Sequence, residues 1–205
     1  IIAINARTLR AVPRDGIGWF TYEVVRGMVR NHPEHEFVLI SDRRYDWLGI
    51  KGSRHSPQML SDHDIIYEGF PVKGRNVEYV TLPLRTVHPH LWHIWHEYLL
   101  PPVLRRIGAD LFIAPDGIMP LRTEVPCIPV IHDLNHEHRP GDIPGCESRY
   151  YRRRFPLFAK KGERVATVSH FSAADIANEY GISPDRIDVV PNGVADIFTP
   201  PLPGE

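Results

Sequence analysis

Short apolar runs alternating with amphipathic helical stripes, over almost the whole length, are the feature that most restricts what this chain can fold into. Ile1–Ala6 reads as a buried-type strand, and from Gly18 to about Arg30 the apolar residues Phe20, Val24, Val25, Met28 and Val29 fall at helical spacing. Phe37–Ile40 is a second apolar run, ended by Ser41-Asp42, and further strands are expected at Ile65–Tyr67 and Val77–Leu82. From about Leu91 to Ile107 a helical pattern places Leu91, Trp92, Trp95, Leu99 and Leu100 on one side. Pro101-Pro102 predicts a kink or split there, because proline removes a donor and crowds the preceding turn. The second half continues with strands at Asp110–Ala114, Cys127–Ile131, Arg164–Val168 and Ile187–Val190, and a helix at Phe171–Tyr180 closed by Gly181. Pro129 has no N–H to give a ladder, so it predicts an edge or a bulge in its strand.

Alternation at this spacing implies crossover units, hence an α/β, Rossmann-like doubly wound, mainly parallel sheet with helices on both faces. In such a sheet ligands sit beyond the carboxyl ends of the strands. Those ends carry Asn5, Arg7 and Asp15-Gly16-Ile17-Gly18, then Pro115-Asp116-Gly117, His132-Asp133, Ser169-His170-Phe171-Ser172 and Pro191-Asn192-Gly193. Polar or glycine-rich turns in one row describe a lined cleft. Residues 1–195 are read as one domain, and 196–205, ending Pro200-Pro201-Leu202-Pro203-Gly204-Glu205, as the start of a linker.

At 205 residues, 42% apolar and 24% charged, the chain suits one large soluble domain. A formal net charge of −1 gives no reason to expect nucleic-acid binding. No run approaches the ~20 apolar residues of a membrane span, and the N-terminus lacks the pattern of a signal peptide. Cys127 and Cys146 are too few for a disulfide framework and read as thiols of a reducing compartment, so a cytoplasmic location is expected.

The individual motifs each have a plain structural reading beside the functional one. Gly16-Ile17-Gly18 lets a ligand approach a helix N-terminus, where free N–H groups favour phosphate, yet the third glycine of the dinucleotide fingerprint is absent and a tight turn would suffice. His132, at the end of an apolar strand with Asp133 beside it, could donate to a developing negative charge or shuttle a proton, or could be a satisfied structural histidine. Ser169 and Ser172 suit a helix start, and Ser172 with Asp175 forms a variant capping box. The clusters His132, Asp133, His136, Glu137, His138 and His88, His90, His93, His96 invite a metal, but neither has a recognised zinc spacing. Asp62-His63-Asp64 precedes its strand and reads as a solvated turn. Arg149, Arg152, Arg153 and Arg154, interleaved with Tyr150, Tyr151, Phe155 and Phe158, make a basic amphipathic helix that could dock on an anionic membrane surface, hold a phosphorylated acceptor, or simply face solvent.

Taken together, the segments Ile4–Arg7 leading to Gly16–Glu23, Gly108–Pro115, Pro129–Leu134, Ala166–Ser172 and Ile187–Val194 resemble glycosyltransferase family 4, a retaining GT-B family, in order and spacing over nearly the whole chain. The resemblance implies that the Gly16–Gly18 turn faces the diphosphate and sugar of a donor, that His132 contacts the donor sugar and supports the transition state, and that Asp133 shapes the site. It implies cleft contacts for Arg7, Asp116 and Ser169, and a crossing into a second domain at Asn192-Gly193. That second domain, which would hold the nucleotide, a basic phosphate ligand and a pair of glutamates, is expected to be missing here, leaving the chain inactive alone. A broad exposed apolar face beside the cleft would fit that absence. The implied reaction is hexose-type transfer, as in polysaccharide synthesis, from a nucleotide-sugar co-substrate to a glycan, lipid-linked or small-molecule acceptor, with no metal or other cofactor. Trp19 and Asn5 depart from the residues many relatives carry, a basic residue and Asp. Two other classes remain: a non-catalytic ligand- or partner-binding domain, and a metal-dependent hydrolase using His132, His136 and His138.

Overall fold

A computed structural model describes residues 1–10, 15–42 and 75–194; the strand expected at 65–67, the Asp62/Asp64 pair and the linker at 196–205 lie outside the described residues. Strands β1 (Ile2–Asn5), β2 (Phe37–Ser41), β3 (Val77–Thr81), β4 (Leu111–Ala114) and β5 (Cys127–Pro129) form a parallel sheet in the order β3-β2-β1-β4-β5. β6 (Val165–Thr167) and β7 (Ile187–Val189) form a second parallel pair, joined to β5 by one bridge between Val130 and Ala166. The fold is therefore the expected Rossmann-like α/β arrangement. The chain moves outward from β1 to β3, then returns to place β4 on the other side of β1. That reversal opens a crevice at the carboxyl ends of β1 and β4.

Pro129 explains why the sheet divides where it does. In β5, Val130 donates to Ala114 on the β4 side, whereas Ile131 donates to Ala166 and Cys127 accepts from Glu163 on the β6 side. Pro129 falls between the two residues that bond toward β6, so its missing N–H interrupts that ladder and not the one to β4. Gly162, just before β6, fits against the proline ring; a Cβ there would lie 2.8 Å from Pro129 Cδ.

Helix α1 (Gly16–Asn31) links β1 to β2 and buries Gly18, Thr21, Tyr22, Val25 and Val29. The buried stripe is offset from the expected one, since Phe20, Val24 and Met28 are only partly covered. The return connection runs as α2 (Pro89–Ile94), a π turn (Trp95–Leu99) and α3 (Leu100–Arg106). The break thus falls one turn before Pro101-Pro102. Both prolines sit in the first turn of α3, where fixed φ is favourable and N–H groups are not called on. The Leu100 N–H reaches back five residues to the Trp95 carbonyl, which is the bond that defines the π turn. Its extra residue turns Trp95, His96 and Glu97 all inward and leaves Leu99, expected on the buried stripe, exposed.

The remaining helices are α4 (Asn135–His138), α5 (Gly145–Lys161) and α6 (His170–Tyr180). Gly181 closes α6 in the left-handed region at φ 62°, as its position suggests. The capping box assigned to Ser172 and Asp175 does not form. Ser169 has the extended backbone of a cap, and its Oγ accepts from the Ser172 N–H at 3.0 Å. Asp175 instead accepts from the His138 ring at 2.8 Å, tying α6 to α4.

Candidate functional site

The crevice between β1 and β4 is floored by a buried polar cluster. Asn5, the last residue of β1, donates from Nδ2 to Asp116 Oδ1 at 3.0 Å. Arg7 Nη2 donates to Asp116 Oδ2 at 2.7 Å, and both side chains are only 9% exposed. The Ile118 N–H closes on the same carboxylate at 3.2 Å. Asp116 is thereby held from three directions, and the tight turn that carries it needs Gly117, which has φ 77° and no room for a Cβ beside Phe155. The Arg7 guanidinium lies 5.7 Å from the Trp95 ring centroid.

His96, on the π turn, completes the cluster from below. A carbonyl can only accept, so the Nδ1 contact to Trp92 O at 2.8 Å identifies Nδ1 as the protonated nitrogen. Nε2 then accepts from Asn5 Nδ2 at 3.4 Å. Burial, reinforced by the Arg7 charge, holds the His96 pKa well below the ordinary histidine value, so the ring is neutral. Glu97, next in the π turn, accepts from the Leu121 and Arg122 N–H groups at 3.1 and 3.2 Å and so fixes the segment following Asp116.

His132 stands one strand further along. Its Nε2 must donate to the Pro115 carbonyl, at 2.8 Å, which leaves Nδ1 as the second functional nitrogen. Phe20 meets the imidazole edge-on with centroids 4.8 Å apart. This contact brings the first turn of α1 against His132. At the N-terminus of α1, Asp15 Oδ1 accepts from the Gly18 N–H at 2.7 Å, leaving the Gly16 and Ile17 N–H groups outside the helical ladder. The Cβ direction of Gly16 is open for at least 4 Å. Arg7, Asp116, His132 and the Gly16–Gly18 turn therefore share one end of the sheet. Asp133 is exposed and accepts from the Asn135 N–H at 2.9 Å at the start of α4. Ser169 caps α6, and Asn192 is exposed beyond β7; both lie further along the same carboxyl edge.

The histidines after β5 do not converge. His132 turns to Pro115, buried His136 pairs with the Tyr180 hydroxyl at 2.9 Å, and His138 turns to Asp175. Burial lowers the His136 pKa, whereas the Asp175 hydrogen bond raises that of His138. Among the described residues, the group that brings three potential metal-ligand atoms within 4.8 Å of one another is His32, Glu34 and His35. All three are exposed, between α1 and β2, on the edge of the sheet opposite the crevice.

The basic helix α5 divides its arginines. Arg154 turns toward the return connection, with Nη2 3.1 Å from His93 Nδ1 and Nη1 3.7 Å from Glu97 Oε1. Arg149, Arg152 and Arg153 stay exposed and, with Glu137, Gly145 and Ser148, line a cavity of about 480 Å³ between α4 and α5. No helix among the described residues is long and apolar enough to cross a membrane. Trp19, Phe171, Val190 and Val194 expose large apolar side chains, all at the carboxyl edge.

Asn5, Arg7 and Asp116 stand at strand ends in the sequence, whereas His96 and Glu97, the partners that come from the π turn, carry no local signal for this site. His96 belonged to a histidine group considered for metal, and nothing in the spacing of Trp95, His96 and Glu97 announces that consecutive residues all face inward. The proline pair that follows the aromatic run was the available signal.

The sequence model of Glycosyltransferase Family 4 matches residues 14–196. A D-inositol 3-phosphate glycosyltransferase from Xylanimonas cellulosilytica is 33% identical over 89 residues, covering 41% of this chain and 21% of that protein. A crystal structure of a glycosyltransferase from Rickettsia africae aligns with 94% of this chain and 43% of its own length, at 14% identity and a TM-score of 0.49. The chain thus spans under half the length of either relative.

Proposed function

Because the chain belongs to glycosyltransferase family 4, we propose that its crevice is the acceptor-side half of a retaining, GT-B-type sugar-transfer site, working opposite a second, nucleotide-holding domain and inactive without it. The observation that carries this reading is the placement of His132, held through Nε2 by Pro115 and packed against Phe20 of the glycine-led helix α1. One strand end thereby presents an oriented imidazole next to a helix N-terminus. The exposed apolar side chains of Trp19, Phe171, Val190 and Val194 on the same edge support a further body covering it.

The chemistry follows from what the residues offer. Transfer from a nucleotide-sugar develops positive charge at the anomeric carbon and negative charge on the departing diphosphate. The Gly16 and Ile17 N–H groups suit the diphosphate, and the open Cβ side of Gly16 permits close approach. His132 Nδ1 faces the task of binding the donor sugar, with the ring already oriented by its other nitrogen. Preorganised groups of this kind stabilise developing charge without reorganising at the moment of reaction, and closure by the second domain would exclude water. Arg7 and Asp116, being spent on each other, shape the floor of the cleft. Asp133, Ser169 and Asn192 line its course toward the acceptor, a glycan, a lipid-linked sugar or a small molecule. No metal enters this scheme. A cytoplasmic setting, where nucleotide-sugars are made, is supported by two unpaired thiols, of which buried Cys127 has its pKa pushed up to about 12.

The test is nucleoside diphosphate release by the native gene product carrying residues 1–205, screened over uridine and guanosine diphosphate-sugars with a chelator present. His132→Ala is expected to lower turnover on the active donor by about 10²–10⁴-fold, with the unfolding midpoint little changed. Turnover equal to that of the unsubstituted protein would remove His132 from the reaction.

A further inference from the structure

We propose that the turn joining α1 to β2 binds one divalent transition-metal ion of the zinc class, with His32, Glu34 and His35 as its ligands. The three side chains offer two imidazole nitrogens and a carboxylate oxygen, all within 4.8 Å of one another. His32 Nδ1 donates to Glu34 Oε1 at 2.9 Å, and His35 Nε2 lies 3.9 Å from the same oxygen. Ligand atoms about 2.1 Å from a zinc ion stand roughly 3.0–3.4 Å from each other in right-angled or tetrahedral arrangements. The two distances bracket that range, and all three side chains are exposed, so small rotations bring them onto one ion. The ion takes the place of the Nδ1 proton, which passes to solvent because imidazole coordinates through a bare nitrogen.

The backbone that carries these ligands is fixed by other contacts. The His32 N–H continues the α1 ladder to the Met28 carbonyl at 2.9 Å, and the His35 N–H bonds the His32 carbonyl at 3.2 Å. Asn76, just before β3, donates from Nδ2 to the His35 and His32 carbonyls at 2.9 and 3.3 Å. Its own carbonyl accepts from the Phe37 N–H at 2.8 Å. Pro33 fixes φ between the first two ligands. The turn is thus closed by α1, β2 and the approach to β3, and the three side chains are surplus to that task. The His35 ring sits edge-on against buried Phe37, with centroids 6.4 Å apart, and lies nearly parallel to the His32 ring at 5.9 Å. Binding therefore orders three side chains and no backbone.

Charge and ligand type select the ion. The turn follows the C-terminus of the 16-residue helix α1, the negative end of its dipole. A backbone N–H, with the His32 ring second, lowers the Glu34 pKa, so the carboxylate is ionised near neutrality. Exposed Glu36 offsets the charge of Arg30 in the last turn of α1. Two imidazoles with one carboxylate suit zinc, copper and nickel, whereas magnesium and calcium take oxygen ligands. Three protein ligands leave coordination positions open to water. The site lies on the edge of the sheet opposite the crevice, so the ion takes no part in the proposed transfer. By joining the end of α1 to the approach to β2, it clamps the first crossover of the sheet.

The experiment titrates the untagged chain with zinc by calorimetry and follows its imidazole nitrogens in long-range ¹H–¹⁵N spectra. The His32 and His35 nitrogens are expected to shift together and saturate, and to ignore magnesium. His35→Gln and, as a second variant fully at the surface, Glu34→Gln should each weaken zinc binding at least about 10-fold, the scale of losing even an outer partner of a metal site. Their metal-free thermal midpoints should match the parent, since the backbone and Asn76 hold the turn. Zinc should raise the midpoint of the parent and not that of His35→Gln. His90→Gln is the comparison: His88 and His90 stack with centroids 5.0 Å apart but join no third ligand among the described residues. Zinc binding retained in full by His35→Gln, or lost in His90→Gln, overturns the proposal. So does a parent chain whose His32 and His35 nitrogens stay unmoved by millimolar zinc. None of these results bears on the turnover test of His132, which is run with a chelator present.

Discussion

Replacing Asp116 with alanine is expected to lower the free energy of unfolding by about 3–5 kcal/mol, the range found when one member of a buried ion pair is removed. The magnitude follows from burial. At 9% exposure on both side chains, solvent contributes little screening to the Arg7–Asp116 pair, and the same carboxylate also receives Asn5 and the Ile118 N–H. The substitution takes an acceptor from a buried guanidinium and from a buried amide at once. Asp116→Asn keeps the shape and one carbonyl acceptor, so a smaller loss is expected. Urea unfolding of both variants measures the difference. A cost for Asp116→Ala below about 1 kcal/mol would put the pair in the class of surface salt bridges and contradict its role as the floor of the crevice.

Trp95→Ala carries the other large expectation, about 3–5 kcal/mol, as for other buried aromatic truncations. Trp95 is fully buried, donates from Nε1 to Leu82 O at 3.3 Å, and packs against the His96 ring with centroids 4.8 Å apart. It also lies under the Arg7 guanidinium, so the cavity left behind would border the polar cluster as well as the core. Trp95→Phe should recover part of the loss by refilling volume. An alanine variant as stable as the parent would mean that the π turn does not hold this side chain inside.

The strands were legible because each is an apolar run between turn signals, and the parallel order follows from their alternation with helices. Gly181 marked the end of α6 because only glycine adopts the left-handed residue there without strain. The π turn was not legible: one extra residue in a helix changes which side chains face inward without changing composition, so Leu99 was assigned to the wrong face. The start of α6 was legible to within a residue, but serines three residues apart both suit a cap, and backbone conformation chose Ser169 over the Ser172–Asp175 box. Arg154 parted from its neighbours because adjacent helical positions are turned about 100° from each other, and its partners, His93 and Glu97, come from a distant segment. The same reason scattered the histidines. Pro115, Tyr180 and Asp175, which take the rings of His132, His136 and His138, are remote in sequence and unreadable from local spacing.

The proposed sugar-transfer crevice is tested most directly by ¹H–¹⁵N spectra of the chain titrated with millimolar uridine and guanosine diphosphate-sugars, conditions in which weak binding still moves resonances. The expected result is graded shifts at Gly16, Ile17, Gly18 and His132, with smaller ones at Asp133 and Ser169, and none in the turn at His32–His35 on the opposite edge. Shifts centred on that opposite edge, or a spectrum unmoved at the carboxyl edge by every donor, would contradict the assignment of the crevice as a sugar-transfer site.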